Sequence, residues 1–338
     1  MPPGDGGSAA GGSTEPPDPL PAAPCGDDLD VVTGRVVPDL GVLPAPAPFT
    51  GDPAEDGPEP FTAQVLSVPL VAETYVALGL SIQIAAGALP GAGHVPNGAG
   101  PYPLVIVLPG FGATQSSYAP YAAHLASHGF VVVSIDTRTN TLFAEHDREA
   151  VEVVRTIDWA LEGSPFAAKI DRTKVAAMGH SKGGKVAFFA GALDARIDLI
   201  VGWDPVNSGG GPCAFDANCN RLPVAPNCPA DQSGAQYLSR AETLVIGAPP
   251  DAAFNPDPHH NAVHFYRGAS SPASLVLLRA AHADWAFGAS QAAVFRLTKA
   301  VHTARLLSRM KARTGLEAYL PEGPTLKADP LVLEARAK

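Results

Sequence analysis

From Phe61 onward the chain alternates short apolar runs with stretches of helical period. Residues 102–108 (YPLVIVL) and 130–135 (FVVVSI) are almost unbroken in Val, Ile and Leu. Such runs are expected of strands buried on both faces of a sheet. The runs at 174–178, 199–203, 243–247 and 274–278 are of the same kind, and 118–128, 145–161, 185–193 and 291–309 carry helical patterns between or after them. Strand and helix in turn predict a mostly parallel central sheet of about eight strands, with helices on both faces. FTAQVLSVPL (61–70) and the 78–85 stretch are expected to open it as antiparallel strands.

Composition adds boundaries. Hydrophobic residues make up 46% of 338, enough for one sizeable core. The main domain is placed at 60–310, with a loop insertion at 207–240, a Gly/Pro-rich linker and extension at 1–59 and a tail at 311–338. The net charge of −10 disfavours nucleic acid and anionic membrane surfaces as partners. No run approaches the roughly 18 apolar residues of a spanning helix. A monomer is expected.

The first 24 residues are rich in Gly, Ser, Pro and Asp and lack the basic and apolar regions of a signal peptide. They read as a linker left after removal of an export signal, with a native disordered terminus as the alternative. Cys25, Cys213, Cys219 and Cys228 are an even set, three of them in one Pro/Asn-rich loop. That usage suits two disulfides in an oxidising compartment, so a secreted or cell-envelope protein is expected. Zinc is disfavoured because no C-x-x-C is present.

The chemistry begins at Gly179-His180-Ser181-Lys182-Gly183, the single G-x-S-x-G of the chain. In a chain with 34 glycines the pattern alone is weak. Its place between the strand KVAAM and a helix of small residues is what an α/β-hydrolase nucleophile elbow requires. The competing reading is an ordinary Gly-rich turn with a surface serine. Leu108-Pro109-Gly110-Phe111-Gly112 follows a central strand, so the N–H groups of Phe111 and Lys182 are candidates for an oxyanion hole. His282, just past the last strand, is the candidate base, since this fold orders its triad Ser, Asp, His. His302 reads as a surface residue of a helix, and a metal at His259 and His260 is disfavoured. For the acid, Asp204 and Asp251 both follow neighbouring strands and both remain open.

PGFGATQSSYAPYAAHLASHGFVVVSIDT (109–137) resembles the bacterial cutinase and polyethylene-terephthalate (PET) hydrolase family. GHSKGGKVAFFAGAL and GWDPVNSG resemble the plant chlorophyllases and platelet-activating-factor acetylhydrolases more. The likeness covers about 61–300 and implies an α/β-hydrolase fold and a serine esterase needing no cofactor. The second pattern implies an acid 23 residues after Ser181, which is Asp204; the cutinase pattern implies Asp251. The Asp-Pro-Val step and the Gly-Lys after the elbow favour Asp204. The cutinase pattern also implies that Phe111 and Trp203 flank the bound ester. Lys182 stands where that family carries Met or Gln, and is expected at the cleft rim. The expected substrate is a carboxylic ester, polymeric as in PET or, in the alternative, a small lipid or pigment ester.

Overall fold

The structure, a computed structural model, describes residues 45, 47–78, 80–138, 145–206, 239–249, 261–269, 272–286 and 292–338. Six parallel strands form its centre: β6 (Tyr102–Leu108), β7 (Val131–Ile135), β8 (Ile170–His180), β9 (Ile197–Trp203), β10 (Glu242–Gly247) and β11 (Ala273–Leu278). They lie in the order β11-β10-β9-β8-β6-β7. β5 (Gly87–Pro96) and then β2 (Phe61–Leu70) extend the β7 side, and β13 (Val332–Ala337) pairs with β11, all antiparallel. The sheet is therefore mixed and nine-stranded, rather than the eight strands expected.

Two expectations are corrected at the edges. The partner of Phe61–Leu70 is the Gly- and Pro-rich segment Gly87–Pro96, while β4 (Leu80–Ile84) pairs with β3 (Glu73–Ala77) in a separate hairpin. The segment read as a tail adds the edge strand β13, and β12 (Arg313–Thr314) pairs with β1 (Ala47–Pro48). The N-terminal extension is likewise packed from Ala47 on. The Gly57 N–H donates to Ser127 Oγ at 2.8 Å, and Asp56 meets His124 at 2.9 Å. Residues 1–44 and most of the 207–240 insertion lie outside the described residues, and with them all four cysteines.

Alternation along the central strands divides the core in two. Leu104, Ile106 and Leu108 point to one layer, packed against α2 (His146–Glu162), α3 (Lys182–Leu193) and α4 (Ala262–Gly268). Val105 and Val107 point to the other, under α1 (Ala119–Ser127) and α5 (Ala292–Lys311). Helix α4 was not foreseen. With both faces covered, the carboxyl ends of the parallel strands are where side chains can converge beyond the sheet. No helix among the described residues is long and apolar enough to cross a membrane.

Burial lowers the pKa of His94, His124, His128, His146, His180 and His302, that of His128 to about 4. In the unfolded chain these rings titrate near 6.5. Below that pH the unfolded state takes up protons that the folded state refuses, so stability falls as pH drops toward 4. Burial raises the carboxyls of Asp136, Glu152 and Asp198, the last to about 6, which opposes the trend. Three such groups are outnumbered by six imidazoles. The thermal midpoint is expected to fall between pH 7 and pH 5; a flat or rising midpoint would contradict this balance.

Candidate active site

Strand β8 ends in a turn that only small residues at both sides allow. A Cβ on Gly179 would sit 2.4 Å from the Gly183 carbonyl, and one on Gly183 would sit 2.5 Å from the carbonyl oxygens of Leu108 and Pro109. Between them Ser181 adopts φ 55° and ψ −122°, a region costly for any residue with a side chain. The strain is held by backbone bonds. The Ser181 N–H donates to the Trp203 carbonyl at 3.0 Å, and its own carbonyl accepts from Lys185 at 3.2 Å and Val206 at 3.3 Å.

The same device recurs one strand over. Asp204, at the end of β9, has φ 42° and no exposed surface. Its N–H donates to the Ile246 carbonyl at 2.7 Å, and its Oδ1 accepts from Ala248 N–H at 2.9 Å. That leaves Oδ2 facing His282 Nδ1 at 2.6 Å. The other ring nitrogen, Nε2, lies 2.9 Å from Ser181 Oγ. A carboxylate can only accept, so Nδ1 carries the proton and Nε2 is the bare base facing the hydroxyl. His282 itself opens a short 3-10 turn after β11. The structure thus brings Ser181, His282 and Asp204 together, while Asp251, His259 and His260 lie outside the described residues.

Lys182 is the first residue of α3, so its backbone N–H is among those a helix start leaves without an intrahelical acceptor. Phe111 follows Gly110 in the turn after β6 and is 41% exposed, which leaves its ring available to a ligand. Other expectations are corrected. Trp203 has no exposed surface: its ring lies 4.6 Å from Tyr121, 5.5 Å from His302 and stacks on Tyr118 at 6.2 Å. It faces the core on the side opposite α3, so it cannot flank an ester. His302, expected at the surface, is fully buried beside it.

Lys182 is also not at the rim. Its ammonium lies inside the protein, 2.6 Å from Glu149 Oε2 on α2 and 3.2 Å from Thr137 Oγ1. The Thr137 hydroxyl donates to the same carboxylate oxygen at 2.9 Å. Glu149 was missed by sequence reasoning, which read 145–161 only as a helical pattern. Next to Thr137, Asp136 Oδ1 accepts from Gln115 N–H at 2.6 Å, so the end of β7 steadies both the turn after β6 and the start of α3.

The chain was also compared with known proteins. The model of a PET hydrolase-like family matches residues 50–210. The chain is 33% identical to a bis(hydroxyethyl) terephthalate hydrolase of Streptomyces coelicolor over 174 residues, 50% of this chain and 54% of that one. It is 40% identical to the cutinase est2 of Thermobifida alba over 85 residues, 25% of this chain and 28% of that one. It is 31% identical to the chloroplastic chlorophyllase-1 of Citrus sinensis over 115 residues, 33% and 35% of the two. The chain therefore spans between about a quarter and a half of the length of these relatives. The resemblance to cutinases, PET hydrolases and chlorophyllases read from the motifs is found again here.

Removing one partner of a buried ion pair leaves an uncompensated charge. Glu149→Leu should destabilise the fold by about 3–5 kcal/mol, whereas Glu149→Leu with Lys182→Met should recover most of that loss. Urea unfolding measures both; a single variant within about 1 kcal/mol of the parent, the range of a surface pair, would show that the pair is solvated.

Proposed function

We propose that this chain is a serine carboxylic ester hydrolase of the α/β-hydrolase fold, cutinase-like and acting on terephthalate esters and polyesters such as PET. The observation that carries the reading is the continuous chain Ser181 Oγ, His282 Nε2, His282 Nδ1, Asp204 Oδ2, with separations of 2.9 and 2.6 Å at its two hydrogen bonds. The strained elbow beneath it and the likeness to a bis(hydroxyethyl) terephthalate hydrolase over half the chain support it.

The reaction follows from the geometry. His282 Nε2 takes the Ser181 proton as Oγ bonds to the ester carbonyl carbon, and the carbonyl electrons move onto oxygen. The N–H groups of Phe111 and Lys182 receive that oxyanion, the second reinforced by the positive end of α3. Asp204 holds the productive tautomer and stabilises the imidazolium. As the tetrahedral centre collapses, the C–O bond to the alcohol breaks and the leaving oxygen takes the proton from Nε2. Water then attacks the acyl-enzyme, giving its proton to Nε2, and the acid leaves as Ser181 recovers its hydrogen. Every proton is carried by His282, so no cofactor is invoked.

The ring of Phe111 is proposed as the apolar wall against which an acyl or aryl group rests. With Trp203 in the core, a two-sided aromatic clamp is not part of the proposal. A chlorophyllase-like activity on small lipid or pigment esters is the second reading, favoured by the likeness to the citrus chlorophyllase. The even set of cysteines supports an extracytoplasmic location, and a monomer is proposed whose catalytic unit runs from about 47 to the edge strand at Val332–Ala337.

Ser181→Ala should lower p-nitrophenyl butyrate hydrolysis by at least about 10⁴-fold, and Asp204→Asn should lower kcat by a comparable factor with KM little changed. Retention of more than a few per cent of the rate by Ser181→Ala would end the assignment. Release of terephthalate from polyester film, set against cleavage of chlorophyll, separates the two substrate readings.

A further inference from the structure

His180 and Tyr118 stand beside the reacting groups, and the mechanism above uses neither. His180 is the first of the two variable residues of the G-x-S-x-G turn, yet it is buried rather than turned toward the cleft. Its Nε2 lies 2.8 Å from the backbone carbonyl of His282, and its Nδ1 lies 2.8 Å from Tyr118 Oη. Tyr118 Oη is in turn 3.1 Å from the N–H of Gly110, the residue before Phe111. The rings of His180 and His282 are 4.6 Å apart, and Trp285 stacks on His180 at 6.2 Å.

The direction of every bond in this chain is fixed. A carbonyl only accepts, so His180 Nε2 carries the hydrogen. Burial keeps the ring neutral, which leaves Nδ1 as an acceptor. Tyr118 must then donate its hydroxyl hydrogen to Nδ1, and burial, by raising its pKa, keeps that hydrogen in place. The free lone pair of Tyr118 Oη receives the Gly110 N–H. Both ends of the relay thus hold backbone at the site: one holds the base, the other the turn that carries Phe111.

The geometry points to Tyr118 and His180 as paired positioning residues that clamp the backbone of His282 to the Phe111 turn and so set the distance from base to nucleophile. Asp204 orients the side chain of His282. The relay supplies a second hold on its main chain, attached to the residue next to Ser181. Proton transfer and oxyanion binding both depend on placement to a fraction of an ångström, so loosening the clamp lowers turnover rather than substrate binding. A neutral His180 also adds no positive charge beside the imidazolium that forms on His282.

This inference rests on the serine hydrolase reading, and its test keeps the two apart. Turnover of p-nitrophenyl butyrate is measured per active site, counted by exhaustive titration with a fluorophosphonate, so that loss of folded protein does not register. Tyr118→Phe keeps the ring against Trp203 and removes both of its hydrogen bonds. It and His180→Phe should each lower kcat about tenfold with KM within about twofold. The double variant should be no slower than the slower single, because a relay broken once is already broken. His180→Gln, whose side-chain N–H can still reach the His282 carbonyl, should recover most of the loss. Wild-type kcat per site in Tyr118→Phe, or losses that multiply in the double variant, would overturn the clamp while leaving Ser181 as nucleophile. Should His180→Phe fail to fold, Tyr118→Phe decides alone. A wild-type protein that takes no phosphonate would overturn the hydrolase reading and the clamp with it.

Discussion

At Ser181 a residue with a side chain is held at φ 55° and ψ −122°, a conformation that costs about 1–3 kcal/mol and persists only where packing imposes it. Gly179 and Gly183 leave the room for it, and backbone bonds to Trp203, Lys185 and Val206 close around it. This turn raises the hydroxyl above the carboxyl end of the sheet and starts α3 at the next residue, which places a helix N-terminus beside the site. Asp204 repeats the strain at φ 42° on the adjoining strand. Because β8 and β9 pair in parallel register, with His180 opposite Trp203, the two strained residues stand side by side. His282 closes the gap from beyond β10.

The two buried polar side chains that flank Ser181, His180 and Lys182, are both partnered. The Lys182 ammonium would oppose the dipole of the helix it begins, but Glu149 and Thr137 receive it at a distance from the reacting atoms. His180 is stripped of charge by burial and used as a neutral donor and acceptor. In a dry interior a group of either kind left unmatched would cost several kcal/mol, so each constrains the backbone it touches.

Most of this frame was legible in the chain. The central strands announce themselves because strands buried on both faces must be apolar throughout, as YPLVIVL and FVVVSI are. The positions of the elbow and of His282 were legible because each lies just beyond such a run. Gly87–Pro96 was not, since its glycines and prolines argue against a strand. Its composition follows from crowding, for a Cβ on Gly91 would lie 2.6 Å from the Ser134 carbonyl oxygen of the neighbouring strand. Trp203 was misread because a residue at a strand end can face cleft or core, and only packing against Tyr118, Tyr121 and His302 decides. Motif and strand order left the acid open between two aspartates, and motif resemblance leaned to Asp204. The relay through Tyr118 was invisible, since it joins residues 62 positions apart and uses a variable place in the motif.

Ser181, raised by the strained turn, is the proposed nucleophile. Labelling the intact protein with a fluorophosphonate, followed by tryptic digestion and mass spectrometry, tests it most directly. Cleavage after Lys174 and Lys182 yields residues 175–182, VAAMGHSK, in which Ser181 is the single hydroxyl-bearing residue. One phosphonyl adduct per chain is expected, carried by that peptide. An adduct on another peptide, or an active protein that takes none, would contradict it.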